Sequence, residues 1–172
     1  MFRNATQKDL AAICRIYDAI HTEEEAGRNT TGWMRSIYPT EDTARRGIET
    51  HDMFLLEDDG QIVACGRINK EQVDCYYGAP WQYDAPAEQV MVLHTLVVDP
   101  ATTHKGYGRK FLEFYENFSK EQGCPYLRLA TNEKNTRARA FYEKLGYWQV
   151  DIRPCAFNGI PDVNLVLLEK KL

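Results

Sequence analysis

The apolar positions change period several times along the chain. Phe2–Ala5 suits a short strand. Behind it, Thr6-Gln7-Lys8-Asp9 has the residues of a capping box, and Leu10, Ile13, Ile16, Tyr17 and Ile20 follow at helical spacing to about Thr22. Pro39-Thr40-Glu41-Asp42 starts a second helix that reaches about Thr50. Met53–Glu57 and Ile62–Asn69 read as strands around the hairpin signal Asp58-Asp59-Gly60. Gln89–Asp99 is largely apolar and stops at Pro100, as a central strand covered on both faces would. Gly106–Gln122 is an amphipathic helix whose Tyr107, Phe111, Phe114, Tyr115 and Phe118 share one face. Tyr126–Thr131 is a strand. A helix from Asn135 or Thr136 ends at Gly146, and Tyr147–Arg153 and Val163–Leu168 are the last strands.

The order β-α-α-β-β-β-α-β-α-β-β predicts an α/β (α+β) fold, with a mixed sheet of about six to seven strands flanked by about four helices. At 172 residues the chain has room for one domain, read here as 1–172. Hydrophobic residues at 44% and charged residues at 27% exclude a disordered chain. No apolar run reaches the ~20 residues of a membrane span, and no secretion signal opens the chain. A net charge of −4 argues against a nucleic-acid binder. The five cysteines are scattered and never spaced as Cys-x-x-Cys, which argues against a metal site or disulfide framework and for a cytoplasmic protein.

The candidate chemistry starts at Thr103-His104-Lys105-Gly106-Tyr107-Gly108-Arg109-Lys110, between the longest strand and the longest helix. Gly106 and Gly108 let backbone N–H groups approach an anion, the helix start adds unpaired N–H groups, and Lys105, Arg109 and Lys110 add charge. By itself this is equally a solvated strand-to-helix turn. It is neither a P-loop nor a dinucleotide fingerprint.

Leu96-Val97-Val98-Asp99-Pro100, then Gly106-Tyr107-Gly108-Arg109 and Phe111-Leu112, followed by Asn135, Ala138 and Phe141-Tyr142-Glu143-Lys144-Leu145-Gly146-Tyr147, resemble the two motifs of the GNAT superfamily of acetyl-CoA-dependent N-acetyltransferases. The likeness is close over about Gln89–Tyr147. Thr103 stands where the family has Arg or Gln, and Ala130 where relatives often carry an acid. The resemblance implies acetyl-CoA as cosubstrate. The backbone of Leu96, Val97 and Val98 would meet its acetyl carbonyl and pantetheine arm. The N–H groups of His104, Lys105, Gly106, Tyr107, Gly108 and Arg109 would hold its pyrophosphate, and Asn135 would lie beside the thioester.

The resemblance also makes Tyr142 the general acid to the leaving thiolate, although its periodicity alone reads as core. His94 is the first candidate base, with strand parity that matches Leu96 and Val98. Glu88 is second, and a water chain is third. Trp33, Tyr38, Tyr76, Tyr77, Trp81 and Tyr83 are expected to wall the acceptor pocket or to form a dimer surface, with Glu23, Glu24 and Glu25 drawing a cation. The expected reaction is acetyl transfer to a primary amine of a small molecule or peptide by direct attack. The alternatives are a non-catalytic acyl-CoA-binding module and a dimeric interaction protein.

Overall fold

The computed structural model describes residues 1–102 and 105–172. Its strands and helices follow the expected order: β1 (Phe2–Asn4), α1 (Leu10–Glu25), α2 (Glu41–Glu49), β2 (Met53–Asp58), β3 (Gln61–Asn69), β4 (Val90–Val98), α3 (Tyr107–Glu121), β5 (Tyr126–Asn132), α4 (Thr136–Lys144), β6 (Trp148–Phe157) and β7 (Ile160–Lys171). The sheet runs β1-β2-β3-β4-β5-β7-β6. All neighbours are antiparallel except β4 and β5, the pair joined through α3. Among the described residues the fold is thus the expected mixed sheet, with seven strands and four α-helices.

The helices cover both faces, which is why the central strands are rich in apolar residues. Phe111, Leu112 and Tyr115 of α3 pack on Met91, Leu93, Leu127 and Leu129. Ile13 and Ile16 of α1, with Ala44 and Ile48 of α2, pack on Met53, Leu55, Cys65 and Val97 from the other side. At the chain start, the Asp9 carboxylate accepts the Thr6 N–H at 2.8 Å and two Arg3 bonds at 2.8 Å each. The capping residues legible in the sequence therefore also tie α1 to β1.

The last two strands are longer than their patterns suggest. Asn158 and Gly159, with φ of +50° and +88°, close a tight hairpin between them. β6 is the sheet edge and none of its residues is fully buried, so its sequence carries little hydrophobic signal.

Two irregularities in β4 shape the molecule. The first is an early end to pairing with β5, which runs from Val90 against Tyr126 to Leu93 against Leu129 and then stops. Beyond it, β4 continues with β3 to Val98 and β5 continues with β7 to Asn132, so the two strands part. The second is a bulge: Val97 pairs with Cys65 but His94 pairs with Arg67, which leaves one extra residue on β4. Thr95 takes a φ of +53° there, and its hydroxyl shares a hydrogen bond with that of Tyr38. Opposite the bulge, a Cβ on Gly66 would lie 3.0 Å from the Phe111 ring, so a glycine lets α3 sit close to the sheet.

The bulge corrects the expected parity. Leu96 and Val98 pack toward the α3 face with Met91 and Leu93. Val90 and Val92 belong to the opposite face, and His94 shares their side because no irregularity separates it from them. An added residue between His94 and Leu96 turns them to opposite faces.

Candidate active site

Two connected spaces open where β4 and β5 part. A cavity of about 120 Å³ is bordered by His94, Leu96, Ala130, Tyr76, Tyr142 and Asn135, among others. A groove of about 590 Å³ continues along Leu96–Val98 to the starts of α3 and α4. Trp33, Leu96, Asn135 and Ala138 border both, so they stand at the junction.

The groove holds most of the expected coenzyme residues. Lys105, Gly106, Tyr107, Gly108 and Arg109 line it together with Leu96, Val97 and Val98. Gly106 has a φ of +74° and turns the chain into α3. The first intrahelical bond runs from the Lys110 N–H to the Gly106 carbonyl at 3.1 Å, and among the described residues no side chain caps the helix. The N–H groups of Tyr107, Gly108 and Arg109 therefore have no acceptor inside the helix. A Cβ on Gly108 would lie 3.4 Å from the Phe141 ring, and anything longer would enter the groove. The Tyr107 ring packs in the α3-side core, and its hydroxyl donates to the exposed Asp58. His104 and Thr103 lie outside the described residues.

Arg28 and Arg137 also line the groove, and sequence reasoning missed both. Arg137 stands two residues past Asn135 in the first turn of α4, a place the helix-start signal could have flagged. Arg28 follows α1 in an irregular stretch. It donates to both Glu23 oxygens, at 2.8 and 2.7 Å. The three glutamates are therefore occupied. Glu24 accepts the N–H groups of Thr31 and Gly32 at 2.8 and 2.9 Å, and Glu25 pairs with Arg35 at 2.9 Å. They fasten the α1–α2 loop and are not a cation trap.

The cavity brings together Tyr142 and His94. Tyr142 reaches it from α4, beside Phe141 and Tyr147. Burial pushes its phenol up to about 12. Its hydroxyl has no hydrogen-bond partner among the described residues and is not sealed from solvent. Asn135 caps α4 by accepting the Ala138 N–H at 3.1 Å, which holds it at the junction.

His94 approaches from the other face. Its Nε2 stands 2.9 Å from Asn69 Oδ1. Burial, aided by the Arg67 charge, pushes the imidazole down to about 4, against the pull of Asp52 and the Glu71 backbone. Glu88 is not brought to this place. It is exposed before the paired end of β4, borders neither the cavity nor the groove, and offers its carbonyl to Lys70 at 2.8 Å.

The six aromatics separate. Trp33 and Tyr76 border the cavity. Tyr38 is buried behind it, edge-on to Trp33 at 5.8 Å, and holds Thr95. Tyr77, Trp81 and Tyr83 line a different groove, with Arg128 stacked 4.0 Å from the Trp81 ring. Only Tyr77 of the Tyr76–Tyr83 group is broadly exposed, so this segment is a packed loop over Arg128 and not an open aromatic face.

Among the described residues, no helix is long and apolar enough to cross a membrane. Residues 11–147 match the model of the acetyltransferase (GNAT) family. The chain is 22% identical over 147 residues to the uncharacterized N-acetyltransferase YhfO of Bacillus subtilis, covering 84% of this chain and 87% of that protein. A GNAT-family acetyltransferase from Streptococcus agalactiae superposes with a TM-score of 0.81 at 21% identity, covering 100% of this chain and 95% of that one. Salmonella typhimurium yncA, a putative acetyltransferase solved with its cofactor acetyl-CoA, superposes with a TM-score of 0.72 at 17% identity, covering 100% and 93%. With a family match across both motifs and the parted strands, the chain belongs to the GNAT family of acetyltransferases.

Proposed function

We propose that residues 1–172 form one catalytic domain that transfers an acetyl group from acetyl-CoA to a primary amine of a small molecule or peptide, by direct attack in a ternary complex. The observation that carries this reading is the opening between β4 and β5, with Tyr142 at one wall and the uncapped start of α3 at its far end.

The residues present fit the coenzyme. The N–H groups of Tyr107, Gly108 and Arg109, which have no acceptor inside the helix, would hold its diphosphate, with Lys105 and Arg137 adding charge. The edge of residues 94–98 that faces β5 has no strand partner, so its backbone would bond the pantetheine amides. Acetyl-CoA, when bound, supplies the acetyl thioester.

Proton handling falls to two side chains. Tyr142 stays protonated at neutral pH and donates from its hydroxyl to the departing sulfur. His94 is neutral in the same range and accepts an N–H from the amine. That N–H becomes acidic as nitrogen bonds to carbon, and the imidazole then takes its proton. One N–C bond forms and one C–S bond breaks. One proton leaves nitrogen and one reaches sulfur. Trp33 and Tyr76 line the amine's approach.

Thermal unfolding with acetyl-CoA, CoA and ATP tests the coenzyme site. A ligand at about 100 times its Kd adds about 2.7 kcal/mol. A rise with acetyl-CoA and CoA but not ATP is expected, followed by CoA release with an amine panel. Binding without turnover of any amine would leave a coenzyme-binding module, and no rise at all would remove the coenzyme site.

A further inference from the structure

Three polar side chains stand behind His94 that the chemistry above leaves unused. Arg67 donates to Asp52 from Nε at 2.8 Å and from Nη2 at 2.7 Å. Asn69 donates from Nδ2 to the same carboxylate at 2.6 Å. Its Oδ1 accepts the Glu71 backbone N–H at 2.9 Å. These two bonds allow the Asn69 amide one orientation, because a carboxylate cannot donate and a backbone N–H cannot accept. The atom 2.9 Å from His94 Nε2 is therefore an oxygen. An amide oxygen does not donate, so Nε2 carries the ring proton. The imidazole lone pair is left on Nδ1. Among the described residues Nδ1 has no partner, it is not sealed from solvent, and the space that His94 borders is the cavity.

We propose that Asn69 is a positioning residue: it holds His94 as the Nε2–H tautomer and so presents Nδ1 to the acceptor amine. The role rests on the cavity being the acceptor site. The tautomer does not. The arrangement behind the ring explains the order of parts. Asp52 sits between Arg67 and Asn69 and fixes the amide, while Arg67 balances its charge inside the fold. A carboxylate in direct contact with the ring would favour the doubly protonated imidazolium, which has no lone pair to offer. An intervening amide orients the ring without charging it.

The groups that face the ring are Arg67 on β3, Asp52 ahead of β2 and the Glu71 backbone after β3. Tyr76, and Tyr142 on α4, border the same cavity. Arg67 works against protonation, whereas Asp52 and the Glu71 backbone work for it.

Long-range proton–nitrogen spectra of the full ¹⁵N-labelled chain read the tautomer without any ligand. A protonated and a bare imidazole nitrogen resonate far apart. The expected His94 pattern near neutral pH is a protonated Nε2 and a bare Nδ1. Asn69→Asp keeps an oxygen acceptor for Nε2 but loses the donor to Asp52, so the two carboxyls share one proton. Its His94 should keep the Nε2–H tautomer. Asn69→Leu should mix the tautomers and lower kcat on the order of tenfold, with the KM for acetyl-CoA unchanged. If the Leu variant does not fold, the wild-type and Asp spectra still decide. A wild-type Nδ1–H ring, or an Asp variant whose His94 becomes an Nδ1–H ring, overturns the assignment. A wild type with the expected spectrum but no turnover of any amine overturns the transferase reading and the role at once, while the tautomer stands.

Discussion

At the scale of single residues, the site separates groups that fill space from groups that move protons. Tyr142 does both: its ring belongs to the α3-side core, and its hydroxyl stands unbonded at the cavity. Tyr142→Phe keeps the ring and removes only the donor. The variant should unfold at nearly the wild-type temperature and bind acetyl-CoA as well, while kcat falls by about 10²-fold or more. Because the phenol ionises only near 12, its loss of a proton should produce no alkaline fall in kcat below about pH 10, which a pH–rate profile with a fixed amine would show. Asp52 is the reverse case, a residue that touches no substrate space but holds a buried charge. Its side chain and that of Arg67 are 10% and 11% exposed. Asp52→Asn leaves the guanidinium with only the more distant Glu71 carboxylate, at 3.9 Å, and should cost about 3 kcal/mol in denaturant unfolding. A loss below about 1 kcal/mol would mean that solvent reaches the pair.

At the scale of elements, the departures from regularity decide where chemistry can occur. An unbroken β4–β5 ladder would close the cavity, and an unbulged β4 would put His94 on the face of Leu96. The order of elements was legible because each period is maintained over whole turns and strands. The bulge was not, because β4 is apolar on both faces and an inserted residue interrupts no alternation. The same blindness misplaced Glu88: sequence distance from His94 does not tell which end of a strand comes apart. The glycine turn was legible as a helix start, since a glycine before a helix carries a local signal, whereas the periodicity read Tyr142 only as core and the resemblance alone pointed it to the cavity. Arg28 was not, since only the folded α1–α2 loop brings it to the groove. Gly108 offers an element-scale test. Phe141 leaves room for a Cβ, and a long side chain there would occupy the groove. Gly108→Arg should fold, with an unfolding temperature within a few degrees of wild type, yet gain no protection from acetyl-CoA. Undiminished protection would place the coenzyme elsewhere.

At the scale of the whole molecule, the polar network that orients His94 also sets how the fold responds to acid. The imidazole titrates at about 4 in the folded chain, against an ordinary value near 6.5. Between those values the unfolded chain binds the extra proton and the folded chain does not, so stability falls as pH drops from 6.5 through 4. The full depression corresponds to roughly 3 kcal/mol. The carboxylates extend the decline. Burial raises the Asp52 carboxyl, but Arg67 and Asn69 outweigh it and hold it below its ordinary range. The Arg3 hydrogen bonds hold Asp9 well below it, against burial. Depressed carboxyls stabilise above their unfolded values and lose that contribution as pH falls through the folded ones, so their effect begins near pH 4, where that of His94 ends. The two sources are separable by substitution. In His94→Gln the slope of stability between pH 6.5 and 4 should flatten, while the decline below pH 4 remains. Urea midpoints of wild type and variant at pH 7, 5.5, 4 and 3 would show the two curves converging across the upper interval. Parallel curves there would mean that the ring protonates in the folded chain as readily as in water, and that the cavity does not hold it neutral.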